Sequence, residues 1–401
     1  MNESLSLVDL GPAASVALAG ALLALLPLLW AARRLWREGG MAAWRRPVAW
    51  QRALTLATLF LTLDLVVFGA FTRLTDSGLG CPDWPGCYGS ASPVGAHGEI
   101  TQALQEAPHG PVSHGKAWIE MIHRYLATGV GALITGLMAL AWWSRGRASA
   151  GEPLISPWWP TWTFVWVCVQ GAFGALTVTL KLYPLIVTGH LLGGLTGVAL
   201  LAAQARALAT PSQASSPQSV WAQALPEVLR RSAGWVLAVW VLQAMLGAWV
   251  STNGAVLACA EFPLCQSQWV PDMDWRQGFT LLRGLGEDGQ GGTVTLAALT
   301  AIHMAHRLGA IVATLAMLWL AWRAMQLGAR SHGRILLALL GWQVATGLSN
   351  VVLGWPLLAA LGHTLGAALT VAWLTGLAVS PLSKPVSQAD QPTRLRARWA
   401  S

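Results

Sequence analysis

Four histidines of this 401-residue chain lie in apolar, helix-like sequence and recur as two matched pairs. His123, in Glu120-Met121-Ile122-His123-Arg124, is answered 183 residues later by His306 in His303-Met304-Ala305-His306-Arg307. His190, in Thr188-Gly189-His190-Leu191, is answered 173 residues later by His363 in Leu361-Gly362-His363-Thr364. Cys81 and Cys87 recur as Cys259 and Cys265 at an offset of 178, and Gln170 and Gly174 as Gln343 and Gly347 at 173. A tandem duplication accounts for all of these, and each half then owns one pair of imidazoles. A lone histidine in a membrane helix more often bonds a neighbouring helix than a metal, but two matched pairs favour ligand chemistry. Zinc or copper would want additional thiolates or carboxylates from the helices, and few are present. A haem iron capped by two histidines from facing helices, with apolar side chains over the macrocycle, fits the pattern better.

Other residues stand close to these pairs in sequence. Arg124 and Arg307 each follow a histidine, where a guanidinium can pair with a haem propionate or snorkel to the interface. Glu120 precedes His123 by three residues on one helix face, and the second half has His303 in its place. Acid/base chemistry confined to the first half is one reading of that asymmetry, and a hydrogen bond to another helix is the other. Asp64, in the middle of an apolar run, is an ionisable group whose role stays open between proton relay and helix contact. Cys168, alone in an apolar helix, is expected to pack, and His97, His109, His114 and His332 are expected in solvated loops.

These residues need membrane helices to position them. Hydrophobic residues make up 54% of the chain and charged ones 10%, which marks an integral membrane protein of all-α class. Nine runs can span a core of about 30 Å, near 12–32, 51–72, 117–143, 158–180, 184–205, 233–252, 297–322, 333–354 and 357–379. The first reads as a retained helix, because Met1 to Asp9 is acidic and the basic residues follow the apolar run. The expected organisation is an extra helix and basic linker over 1–50, a four-helix repeat over 51–205, a cytoplasmic linker over 206–232, a second four-helix repeat over 233–380 and a basic tail over 381–401. Of the 25 Lys and Arg residues, 18 fall on one side if the N-terminus is outside, five on the other, and Arg124 and Arg307 lie within helices. The first side is therefore cytoplasmic, and the net charge of +8 reports membrane orientation, not nucleic-acid binding. The same topology places all four histidines about 9 to 14 Å below the outer boundary. It also puts two long loops outside, each opening on a Cys-x5-Cys pair, Cys81/Cys87 and Cys259/Cys265. Disulfides are favoured there, as structural staples or as a redox-active dithiol, and zinc is disfavoured by the spacing.

The run Thr72-Arg73-Leu74-Thr75-Asp76-Ser77-Gly78-Leu79-Gly80-Cys81, the Glu120-x-x-His123-Arg124 motif and the matched His190, His306-Arg307 and His363 closely resemble the haem A synthase family of cytochrome oxidase assembly. The resemblance covers about residues 51–380, in the same order in both halves. It implies an oxidoreductase that converts the C8 methyl of haem O to a formyl group, giving haem A, in a bacterial inner membrane. It further implies haem b on His306 and His363, and haem O or haem A between His123 and His190, with Glu120 serving the chemistry. Haem O synthase and cytochrome oxidase assembly factors are then expected partners, and a homo-oligomer is an open expectation. The leading helix departs from the eight-helix form of that family. A di-haem electron carrier and a haem-handling chaperone or transporter are the competing readings, yet all four histidines lie toward one side, which disfavours conduction across the membrane.

Overall fold

The computed structural model describes residues 11–145, 155–209, 220 and 223–382. The acidic N-terminus and the expected basic tail beyond residue 382 lie outside the described residues. The described chain is helical, with only isolated β-bridges: α1 (Gly11–Trp44), α2 (Pro47–Leu74), α3 (His97–Glu106), α4 (His114–Ser144), α5 (Trp158–Thr179), α6 (Pro184–Ala207), α7 (Glu227–Thr252), the short α8 (Trp275–Gly278), α9 (Leu296–Gln326), α10 (Arg330–Val352) and α11 (Leu357–Ala378). Nine of these helices, all but α3 and α8, are long and apolar enough to cross a membrane. The chain is a multi-pass membrane protein of all-α class.

In lipid every polar backbone group must be satisfied within the segment, and these helices also satisfy their own hydroxyls. Along α2 the Thr55, Thr58 and Thr62 hydroxyls donate to the carbonyls of Gln51, Leu54 and Thr58 at 2.6–2.7 Å. The two longer histidine-bearing helices start from equivalent caps: Ser113 Oγ accepts from the Lys116 amide at 3.3 Å, and Thr295 Oγ1 from the Ala298 amide at 3.2 Å.

Helices α2, α4, α5 and α6 close a ring in which each touches the next, and α7, α9, α10 and α11 close a second ring in the same order. The rings meet where α11 packs on α2 and α6, and α6 on α7. Small residues allow that approach: Ala202, Ala368 and Ala372 are buried with Val66, Leu195 and Val198 in one cluster. Polar contacts tie the rings near the loop end, where Arg73 donates to the Ser251 carbonyl at 2.9 Å and the Thr188 and Thr252 hydroxyls lie 3.1 Å apart.

Helix α1 stands outside both rings, against α4 and α2. Its Gly20 presses on α4, since a Cβ there would fall 2.5 Å from Thr128 Cβ. Val16 joins Cys81, Cys87, Ile100, Ala117 and Met121 in a buried cluster, so the leading helix covers one side of the Cys81–Cys87 loop.

Several expectations change at this level. His332 is not a loop residue: it lies in α10, is 3% exposed and packs against Trp373 at a ring separation of 5.5 Å. His97 and His114 begin α3 and α4, and their rings approach to 4.4 Å, because the first loop folds back on itself through α3. Cys168 is exposed on the outer face of α5. That helix touches its neighbours on one side and turns Trp162, Val165 and Val169 outward as well. Asp64 is likewise exposed, one turn from the outward Phe60, and makes no recorded ion pair among the described residues.

Candidate haem-binding site

The four histidines enter the rings from the loop-bearing end. His123 is nine residues after the start of α4, His190 six after the start of α6, His306 ten after the start of α9 and His363 six after the start of α11. At the helical rise this places them about 9 to 15 Å in, on one level. Within each half the second and fourth helices of the ring carry them, and the imidazoles of each pair lie within electrostatic range of one another. All four histidines are half-buried.

The first and third helices of each ring make room at the same level. A Cβ on Gly69 of α2 would lie 3.0 Å from His123 Nε2, and one on Gly174 of α5 would lie 3.5 Å from His190 Cε1. In the second half a Cβ on Gly247 of α7 would lie 2.9 Å from His306 Cε1, and one on Gly347 of α10 would lie 3.2 Å from His363 Cε1. Each histidine therefore faces a backbone notch opened by a glycine. Gly69 and Gly247 repeat at an offset of 178, matching the cysteines. Two half-buried imidazoles per half, flanked by notched helix faces, fit a flat bis-histidine porphyrin. Among the described residues no three or more His, Cys, Asp or Glu side chains stand together as a metal-binding group.

The other nitrogens of these rings are treated unequally. His306 Nδ1 lies 2.9 Å from the Gln243 side-chain amide, and His363 Nδ1 lies 3.1 Å from Thr346 Oγ1. His190 Nδ1 is buried without a hydrogen-bond partner, and His123 stacks on Phe68 with ring centroids 6.3 Å apart. Sequence reading missed Gln243 and Thr346.

Glu120 and Arg124 are 4% and 8% exposed and form an ion pair of 2.6 Å. Glu120 Oε2 also accepts the Cys81 amide at 2.8 Å, and Arg124 donates to the carbonyls of Asp83, at 2.9 Å, and Gly86. Arg307 grips the second loop in the same way, donating to the carbonyls of Leu264 at 2.9 Å and Glu261 at 2.6 Å. Beyond the pairing of Arg124 with Glu120 and its contact with Met121 Sδ on the same helix, both guanidiniums thus reach into the cysteine loops. Those loops are closed by Cys81–Cys87 and Cys259–Cys265 disulfides, with Cα separations of 4.9 and 4.7 Å. His303, in the place of Glu120, has Nδ1 3.0 Å from the Ala255 carbonyl. Beside the first disulfide, burial and then Asp83 push the Tyr88 phenol above its ordinary value, so it remains neutral.

Residues 52–375 match the family model described as Cytochrome oxidase assembly protein. The chain is similar to proteins named Heme A synthase: 37% identical to that of Shewanella oneidensis over 78% of this chain and 91% of the relative. It is 28% identical to that of Rhizorhabdus wittichii over 82% of this chain and 93% of the relative. With that of Symbiobacterium thermophilum the identity is 28% over 78% and 89%.

Proposed function

We infer the activity of this chain from its kinship: it belongs to the cytochrome oxidase assembly protein family, and its relatives named Heme A synthase align over about nine-tenths of their own length. It is an enzyme that converts haem O to haem A. We assign it to the oxidoreductases acting on a CH group, with the C8 methyl of haem O carried through an alcohol and a hydrated aldehyde to the formyl group.

The observation that carries this reading is the pair of cradles, two imidazoles and two glycine notches in each half, on one level beneath the disulfide loops. His123 and His190 would hold the substrate haem, and His306 and His363 a resident haem b. When bound, haem b supplies an electron exit for the oxidation of the substrate. The protein's own part is to orient the substrate and manage protons. His123 and His190 fix the macrocycle between α4 and α6, and apolar side chains exclude water. Glu120, one turn from His123, would take a proton released during the oxidation. Its pairing with Arg124 also fixes the Cys81 loop over the first cradle. The surplus of Lys and Arg on the opposite loops favours placing the histidine level toward the periplasmic side of a bacterial inner membrane. The two rings are read as the halves of the duplication.

The test is porphyrin analysis of cells that make haem O. Membranes carrying this protein should contain haem A, and a Glu120→Gln variant, which retains an acceptor for the Cys81 amide, should bind haem but yield at least tenfold less product. Full haem A yield from that variant refutes the role of Glu120, and absence of any oxidised product with the native chain refutes the activity.

A further inference from the structure

The two cradles differ at the Nδ1 atoms of their histidines. An imidazole bound to iron through Nε2 carries its proton on Nδ1 and needs an acceptor there to fix its tautomer and plane. In the second half each Nδ1 has a polar side chain beside it. Thr346 donates its hydroxyl proton to the Trp342 carbonyl at 2.8 Å, which leaves a lone pair for His363 Nδ1 at 3.1 Å. The Gln243 carboxamide sits against His306, with its Nε2 2.9 Å from Nδ1 and donating to the His306 carbonyl at 3.0 Å, and its Oε1, which has no partner, meets an Nδ1–H only after a half-turn that gives up the carbonyl bond. Space for this amide is made by Gly309, where a Cβ would fall 2.2 Å from Gln243 Oε1.

At the repeat-equivalent positions the first half has Leu65 for Gln243, Leu126 for Gly309 and Phe173 for Thr346. Phe173 sits against Gly189 as Thr346 sits against Gly362, so the exchange is of chemistry at one place in the fold. Leu65 and Phe173 can accept no hydrogen bond, and His190 Nδ1 is buried without a partner.

We propose that Gln243 and Thr346 are positioning residues that clamp His306 and His363 on a permanently held haem, and that Leu65 and Phe173 leave His123 and His190 unclamped so that the haem of the first half can be exchanged. This rests on the placement of haem b in the second half. An enzyme whose substrate and product are both haems must release one of them each turnover while retaining the other. Removing an outer partner of a metal-bound histidine typically weakens metal binding 10- to 100-fold. The same hydrogen bond pushes electron density toward the iron and stabilises its ferric state, so its loss raises the reduction potential.

The full-length protein, loaded with haem, is tested by haem loss to apomyoglobin and by redox titration of the haem b band. Gln243→Leu and Thr346→Val should release haem b about 10- to 100-fold faster and titrate at a higher potential, while Thr346→Ser, which keeps the hydroxyl, behaves as the native chain. Leu65→Gln combined with Leu126→Gly should slow loss of haem from the first half. Native potential and native loss rate in both Gln243→Leu and Thr346→Val overturn the clamp. If His306→Ala retains haem b in full, the placement of that haem fails instead. Loss of haem b in His306→Ala with no effect of the clamp variants overturns the clamp alone.

Discussion

Glu120 and Arg124 hold each other at exposures of 4% and 8%, so neither charge can be removed without stranding its partner away from water. Breaking a buried pair on one side costs about 3–5 kcal/mol, far more than an exposed pair contributes. Arg124→Met should therefore lower the thermal midpoint of the detergent-solubilised protein by several degrees, with the Cys81–Cys87 loop opening to proteolysis first. Arg307→Met, whose guanidinium bonds carbonyls and forms no ion pair among the described residues, should cost less. An equal or larger loss in Arg307→Met would contradict this ranking. The histidines themselves were legible in sequence because an ionisable ring in apolar surroundings is costly and its repeat was plain. The engagements of Arg124 and Arg307 were not, since they depend on how each cysteine loop folds back over its helix. Gln243 and Thr346 went unread because polar residues on helices serve many ends, although their apolar counterparts Leu65 and Phe173 were visible in the same repeat.

The helices act in alternation, the second and fourth of each ring presenting a histidine and the first and third an open glycine notch. Closing one notch should disable one cradle. In Gly247→Leu a side chain would start from a Cβ only 2.9 Å from His306 Cε1, an overpacking of about 1–3 kcal/mol that the His306 ring must relieve by turning. The expected result is a folded protein that has lost haem from the second half and kept it in the first. Retention of both haems with unchanged spectra would show that the notch is incidental. The nine spans were legible from apolar length alone, and the ends of α9 and α11 at Leu296 and Leu357 fall within one residue of the sequence expectation. The helix boundaries at the basic side were less so. Helix α6 runs to Ala207 and buries Arg206, whose guanidinium bonds Ser380 Oγ at 3.2 Å and the Gln223 carbonyl at 2.6 Å, because a charge with such partners need not leave the helix. Helix α3 was hidden by its mixed polarity within a loop.

As a whole the molecule is two four-membered helix rings joined through α2, α6, α7 and α11, with the extra helix α1 bracing the first ring and its disulfide loop. This arrangement brings two similar histidine pairs to one level, where the proposed roles of chemistry in the first half and haem retention in the second would be divided. Two histidine pairs would hold two haems per chain, one for each pair. The most direct measurement is the haem-to-protein ratio of purified protein, native and carrying His306→Ala with His363→Ala, after expression with ample iron and porphyrin. Two haems in the native chain and one in the variant, the survivor being haem O or haem A, is the predicted result. A variant that keeps both haems, or a native chain that binds none, contradicts the account.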